Sequence, residues 1–141
     1  MRRAPRVGFR AEVALAGVDA SRVRAAVEAA WELYGGPPGE RVEVVLLGEE
    51  EHSLLHGEFL DDPTATDVMA FPYGDEDLFG EVVVNRDMAV REAHARRKPA
   101  AHEALLYVAH GALHLLGFRD DSASARAEMR AAEARVMQRL S

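Results

Sequence analysis

Residues 100–116, AAHEALLYVAHGALHLL, carry Leu105, Leu106, Val108, Ala109, Ala112, Leu113 and Leu116 at helical spacing. The segment is apolar on most faces, and a helix of that kind has to be buried. It is expected to be the central helix around which the other elements pack, with Gly117 placed to end it. Before it, residues 87–97 read as an Ala-, Arg- and Glu-rich helix stopped by Pro99, and after it residues 122–140 read as a helix capped by Ser122. The first half of the chain has a different rhythm. Residues 7–15 alternate as a half-buried strand should, with Val7, Phe9, Ala11, Val13 and Leu15 on one side. Residues 21–34 carry a helical stripe, with Ser21 or Asp19 as cap, and Gly35 to Gly39 is a loop. VEVVLL at 42–47 reads as a strand. A short helix over 49–60 follows, with Leu54, Leu55 and Phe59 inward. A loop over 61–67, a strand at 68–71 ended by Pro72, a loop over 73–79 and a strand at 81–84 complete the half. The order β α β α β β α α α predicts an α+β fold: a small mixed sheet of about four strands packed with about five helices.

A chain of 141 residues, 48% of them apolar, suits one domain over 1–141 with a real core. No apolar run approaches the ~20 residues of a membrane helix. The N-terminal arginines are not followed by the apolar stretch of a signal peptide, so the expected location is the cytoplasm. There is no cysteine, which removes disulfides and thiolate metal sites. Six histidines remain, His52, His56, His94, His102, His110 and His114. The net charge of −7 disfavours a nucleic-acid binder in the sum. Four arginines in the first ten residues and the cluster Arg91, Arg96, Arg97 and Lys98 are basic patches, read first as solvated surface.

His110 and His114 lie four apart, hence one turn apart on one face of the buried helix. Two separate imidazoles there each need a partner or cost free energy, whereas one metal ion satisfies both. Gly117 can take the left-handed conformation that turns the chain back, and three residues later comes Asp120, an oxygen donor. The pattern H-x-x-x-H-x-x-G-x-x-D therefore predicts one zinc ion held by His110, His114 and Asp120. His and carboxylate also suit other transition metals. Three protein ligands and one open position characterise a catalytic site. Asp120 has a second available role in capping the helix near 122, as has Asp121. Zinc-assisted hydrolysis is the expected chemistry, since the ion acidifies water and polarises carbonyl or phosphoryl oxygens. The spacing resembles that of metzincin proteases. Those proteases have a Glu general base after the first His, where this chain has Gly111. Peptide hydrolysis by that route is thereby disfavoured. His52, His56, His94 and His102 read as surface residues.

HGALHLLGFRDD at 110–121 resembles the HGxLHLxGYDH signature of the YbeY-type endoribonucleases, the ribosomal RNA maturation factors. LHGEFLDDPTATDVMAFP at 55–72 is similar to that family's L-N-x-x-Y-R-x-x-D-x-P-T-D-V-L-S-F-P stretch, and FGEVVVN at 79–85 resembles its L-G-D-I-x-I segment. The resemblance implies a single metal-dependent hydrolase domain that cleaves single-stranded RNA. Its implied tasks are maturing the 3′ end of small-subunit ribosomal RNA and ribosome quality control, with the small subunit as a partner. By resemblance, His110 and His114 match the first two zinc ligands. Two departures stand out. Asp120 replaces a third His, which leaves the ion about one positive charge instead of two and weakens its pull on phosphate. Leu60 stands where the family has an Arg thought to serve the reaction, and Arg119 is a candidate replacement by proximity. Asp121 is a candidate general base. Thr66 and Asp67 match the family's T-D pair and are candidate substrate-binding residues, a backbone-bonded loop Asp being the other reading. The alternatives are a zinc hydrolase of another bond, such as peptide, and a non-enzymatic, metal-containing ribosome assembly factor.

Overall fold

A computed structural model describes residues 4–60, 66–75 and 77–141; the side chains of Phe59 and Leu60 lie outside that description, as does most of the 61–67 loop. The elements run β1 (Arg6–Ala11), α1 (Ala20–Tyr34), β2 (Arg41–Leu47), α2 (Glu49–Leu60), β3 (Val68–Pro72), β4 (Gly80–Asn85), α3 (Arg86–Arg96), α4 (Ala100–Leu115) and α5 (Ala123–Leu140). This is the expected α+β order, with four strands and five helices among the described residues. The sheet order is β1-β2-β4-β3. β2 runs parallel to both β1 and β4, and β3 closes the edge antiparallel to β4.

The two inner strands are buried on both faces, which is why VEVVLL and EVVV are almost continuously apolar. On one face Val42, Val44, Leu46, Val82 and Val84 join α1, α4 and α5 in the main core. On the other, Val45, Leu47, Val83 and Met69 form a smaller cluster against Leu55 and Phe71. Alternation along each strand assigns the two sets.

Local chemistry fixes most of the boundaries. Asp19 caps α1 by accepting the Arg22 N–H at 2.9 Å. Asn85 caps α3 through Met88, and Ser122 caps α5 through Ala125. α4 has ten buried residues. Its contacts with the sheet fall mainly on β3 and β4, so it covers one end of the sheet and is not clearly central. β1 stops at Ala11, four residues short of the strand expected over 7–15. Its partner β2 is about to end, since Ala11 pairs with Leu46. Val13 and Leu15 still pack on the core from the following loop.

α2 departs further from expectation. Leu54 is 69% exposed, not inward, whereas His52 is fully buried and His56 nearly so. The two histidines are four apart and share the face that Leu54 lacks. His52 points at the Val83 carbonyl with Nε2 at 3.0 Å, so it must donate from Nε2 and carry no proton on Nδ1. Burial is the larger cause holding this imidazole below its ordinary range, against the opposing carbonyl bond. Of the four histidines read as surface, only His94 is exposed; His102 is half-buried.

Candidate metal centre

The end of α4 and the turn behind it build the site. Gly117 adopts φ +101°, a conformation that side chains rarely take. The Gly117 and Phe118 N–H groups return to the carbonyls of His114 and Leu113, each at 3.0 Å. That closure satisfies the last carbonyls of α4 and reverses the chain. Because Ser122 supplies the cap of α5, the Asp120 carboxylate is left to face α4.

It meets both histidines. Asp120 Oδ2 lies 3.3 Å from His114 Nε2 and 3.5 Å from His110 Nε2. One ligand atom from each of the three side chains falls within 4.8 Å of the others. Ligands about 2.0–2.1 Å from a tetrahedral ion stand roughly 3.3–3.4 Å apart, so the two Asp120 spacings are close to those of ligands on one cation, and the three groups could hold one. The imidazole rings stand 74° apart in plane, centroids 4.7 Å distant.

Behind His110 is a residue that sequence reasoning missed. Glu133 of α5 brings Oε2 to 2.5 Å from His110 Nδ1, with only 14% of its side chain exposed. A carboxylate accepts, so Nδ1 carries the proton and the Nε2 lone pair of neutral His110 faces Asp120. Acceptor atoms facing one another repel unless a cation or proton lies between them. For His110, burial is the largest single influence and opposes the imidazolium. The Glu133 hydrogen bond and charge together outweigh it and hold this imidazole above its ordinary range. The donor set and its geometry fit a metal ion.

The other candidates are placed as follows. Asp67 faces the centre from the loop before β3, and its Oδ1 accepts the Val68 N–H at 2.8 Å. The Thr66 carbonyl accepts from Asn85 Nδ2 at 3.1 Å, and the Asp67 carbonyl accepts from the Asn85 N–H at 2.9 Å. Buried Asn85 thus ties this loop to the end of β4 while capping α3. Arg119 and Asp121 pair with each other and are exposed; neither lines a cavity at the centre. That pairing is the first cause lowering the Asp121 carboxyl below its ordinary range. Leu60 falls among the side chains outside the description.

Gly111 is explained by packing. A Cβ there would stand 2.4 Å from Val82 Cγ1 of β4, a stiff branched side chain. What approaches this glycine is the sheet, and the position that carries a general base in metzincins has no room for a side chain.

Two cavities meet at the centre. One, of about 400 Å³, lies along α4 and α5; the other, of about 460 Å³, runs beside β3. Asp67, His110 and Asp120 line both.

The fold and site define a small α+β protein with a His-His-Asp centre at the end of a buried helix, open to solvent on two sides. Residues 15–141 match the family described as Endoribonuclease YbeY, and the chain belongs to that family. Among curated relatives named Endoribonuclease YbeY, it is 37% identical to that of Kineococcus radiotolerans over 92 residues, covering 57% of this chain and 53% of the relative. With that of Deinococcus radiodurans it shares 36% over 101 residues, covering 67% and 64%. The matched stretch thus spans about half to two thirds of these relatives' lengths. The solution structure of a Thermotoga maritima protein superposes with a TM-score of 0.63 at 25% identity, covering 94% of this chain and 89% of that one. No helix among the described residues is long and apolar enough to cross a membrane.

Proposed function

We propose that residues 1–141 act as one metal-dependent hydrolase domain, a zinc endoribonuclease that cleaves single-stranded RNA in the cytoplasm. Its proposed task is maturation of the 3′ end of small-subunit ribosomal RNA and ribosome quality control, with ribosomal RNA and the small subunit as partners. The observation that carries the reading is the convergence of His110 Nε2, His114 Nε2 and Asp120 Oδ2 at metal-ligand spacing in a chain of this family.

His110, His114 and Asp120 hold one zinc ion, which supplies Lewis acidity toward a phosphoryl oxygen and an activated water. Glu133 fixes the tautomer of His110, so that Nε2 stays available. Asp67, shared by both cavities, sits where a strand crosses from one to the other. Burial and the nearby Asp67 and Glu103 carboxylates raise the Tyr107 phenol above its ordinary range, so it stays protonated as a donor at the α4–α5 cavity. The peptidase alternative finds no support in the Gly111–Val82 contact, which closes the position of its base.

Elemental analysis of purified wild type beside Asp120→Ala, with cleavage of a single-stranded oligoribonucleotide with and without chelator, tests the reading. Stoichiometric zinc in wild type, its loss in the variant and chelator-sensitive products are expected. Equal metal in both proteins would sink the ligand assignment. Full metal without any products would favour the assembly-factor role.

A further inference from the structure

We infer that Arg126 and Arg130 of α5 form a phosphate clamp beside the metal centre, holding the backbone of the RNA strand on the α4–α5 side. The inference rests on the proposed RNA substrate and on the balance of charge at the centre. A divalent ion held by Asp120, with the Glu133 carboxylate behind His110, sums to no net formal charge. Asp120 alone would leave the ion one positive charge; Glu133 cancels it. The centre therefore offers a polyanion little long-range attraction, in a chain whose net charge is −7.

Cations must come from the cavity wall. The α4–α5 cavity is lined by three arginines, Arg96, Arg126 and Arg130. Arg96 is committed, paired with Glu103 at 3.2 Å and Glu92 at 3.6 Å. Arg126 gives one guanidinium N–H to the Asp120 backbone carbonyl at 3.4 Å, which sets its head group at the ligand loop. Among the described residues, neither Arg126 nor Arg130 forms an ion pair with a carboxylate. The acids of the same wall have partners of their own: Glu92 has Arg96, Glu133 has His110, Asp120 has both histidines, and Asp67 accepts a backbone N–H. Two guanidinium groups without a salt-bridge partner among the described residues are left, four residues apart on one face of α5, which also brings Met129 and Glu133 to the cavity. Arg126 lies within reach of the Asp121 charge. A pair of forked donors one turn apart, next to a hydrolytic metal, suits successive phosphates of an extended strand.

The test is equilibrium binding of a fluorescein-labelled single-stranded oligoribonucleotide to the zinc-loaded chain, read by anisotropy across a salt series while the probe remains intact. Arg130→Ala, Arg126→Ala/Arg130→Ala and Arg130→Lys are compared with Arg135→Ala, which removes a cation of α5 that lines neither cavity. Each clamp arginine lost should weaken binding and flatten the slope of log affinity against log salt by about 0.7. Arg130→Lys should keep the slope and Arg135→Ala the wild-type behaviour, with zinc content unchanged in Arg130→Ala. Wild-type affinity and slope in Arg130→Ala and the double variant would overturn the clamp while leaving the RNA reading standing. Equal losses in Arg135→Ala and Arg130→Ala would also overturn it, since the effect would then be diffuse charge. A wild-type protein that binds no RNA even at low salt would remove the RNA reading and the clamp with it.

Discussion

Glu133 reaches His110 from 23 residues further along the chain, and its single hydrogen bond decides which imidazole nitrogen is free. Outer-shell partners of this kind typically matter 10–100-fold for metal affinity, so Glu133→Ala should weaken zinc binding by roughly that factor. Glu133→Gln should recover part of it, because the amide oxygen still accepts from Nδ1–H. Competition with a chromophoric chelator measures both; unchanged affinity in Glu133→Ala would mean that packing alone orients the ring. Gly111 shows the opposite case, a site residue whose role is to be small. Gly111→Ala forces α4 off Val82 and should cost about 1–3 kcal/mol, the usual range for overpacking. Urea unfolding measures it, and a variant as stable as wild type would show that β4 gives way freely.

At the scale of elements, the junction between α4 and α5 carries the site. Four features act within thirteen residues, 110–122: two histidines one turn apart, a glycine with positive φ, a returning aspartate and a serine cap. Gly117→Ala places a side chain at φ +101° and should destabilise the fold by about 1–2 kcal/mol. It should also lower zinc affinity, because the same turn aims Asp120. A calorimetric titration that finds wild-type affinity would separate the turn from the ligand. This junction was legible in the sequence because every part of it is local. Asn85, which joins three segments, has only its helix cap as a local signal. Its cap on Met88 is local, but its bonds to Thr66 and Asp67 depend on β3 lying antiparallel beside β4.

For the whole molecule, stability should depend on metal and on pH. Zinc at a hundred times its dissociation constant adds about 2.7 kcal/mol to the folded state. Stripping it with a chelator should therefore lower the melting temperature, and restoring it should reverse the shift. Buried His52 gives an acid limit. Above its ordinary value of about 6.5 it is neutral both folded and unfolded, and contributes no pH dependence. Below that value the unfolded chain takes up a proton that the buried ring resists. Stability should then fall with falling pH until the depressed folded value is reached, where the loss levels off. Denaturant midpoints measured from neutral to acid pH should show a shallower decline in His52→Gln than in wild type. Parallel curves would exclude His52 as the group responsible.

The amino-acid order was enough for the succession of strands and helices, the burial of α4 and the convergence of His110, His114 and Asp120. Those follow from side-chain period, caps and one glycine turn, all short-range. Contacts between distant segments needed the assembled chain: the inward turn of His52 and His56, the Val82 contact that keeps Gly111 bare, and Glu133 behind His110. The same holds for Arg126 and Arg130, which line the cavity beside the centre. Periodicity says which face of an element is buried but not which group of another element it meets, and that pairing sets the tautomer, the charge and the shape of the site.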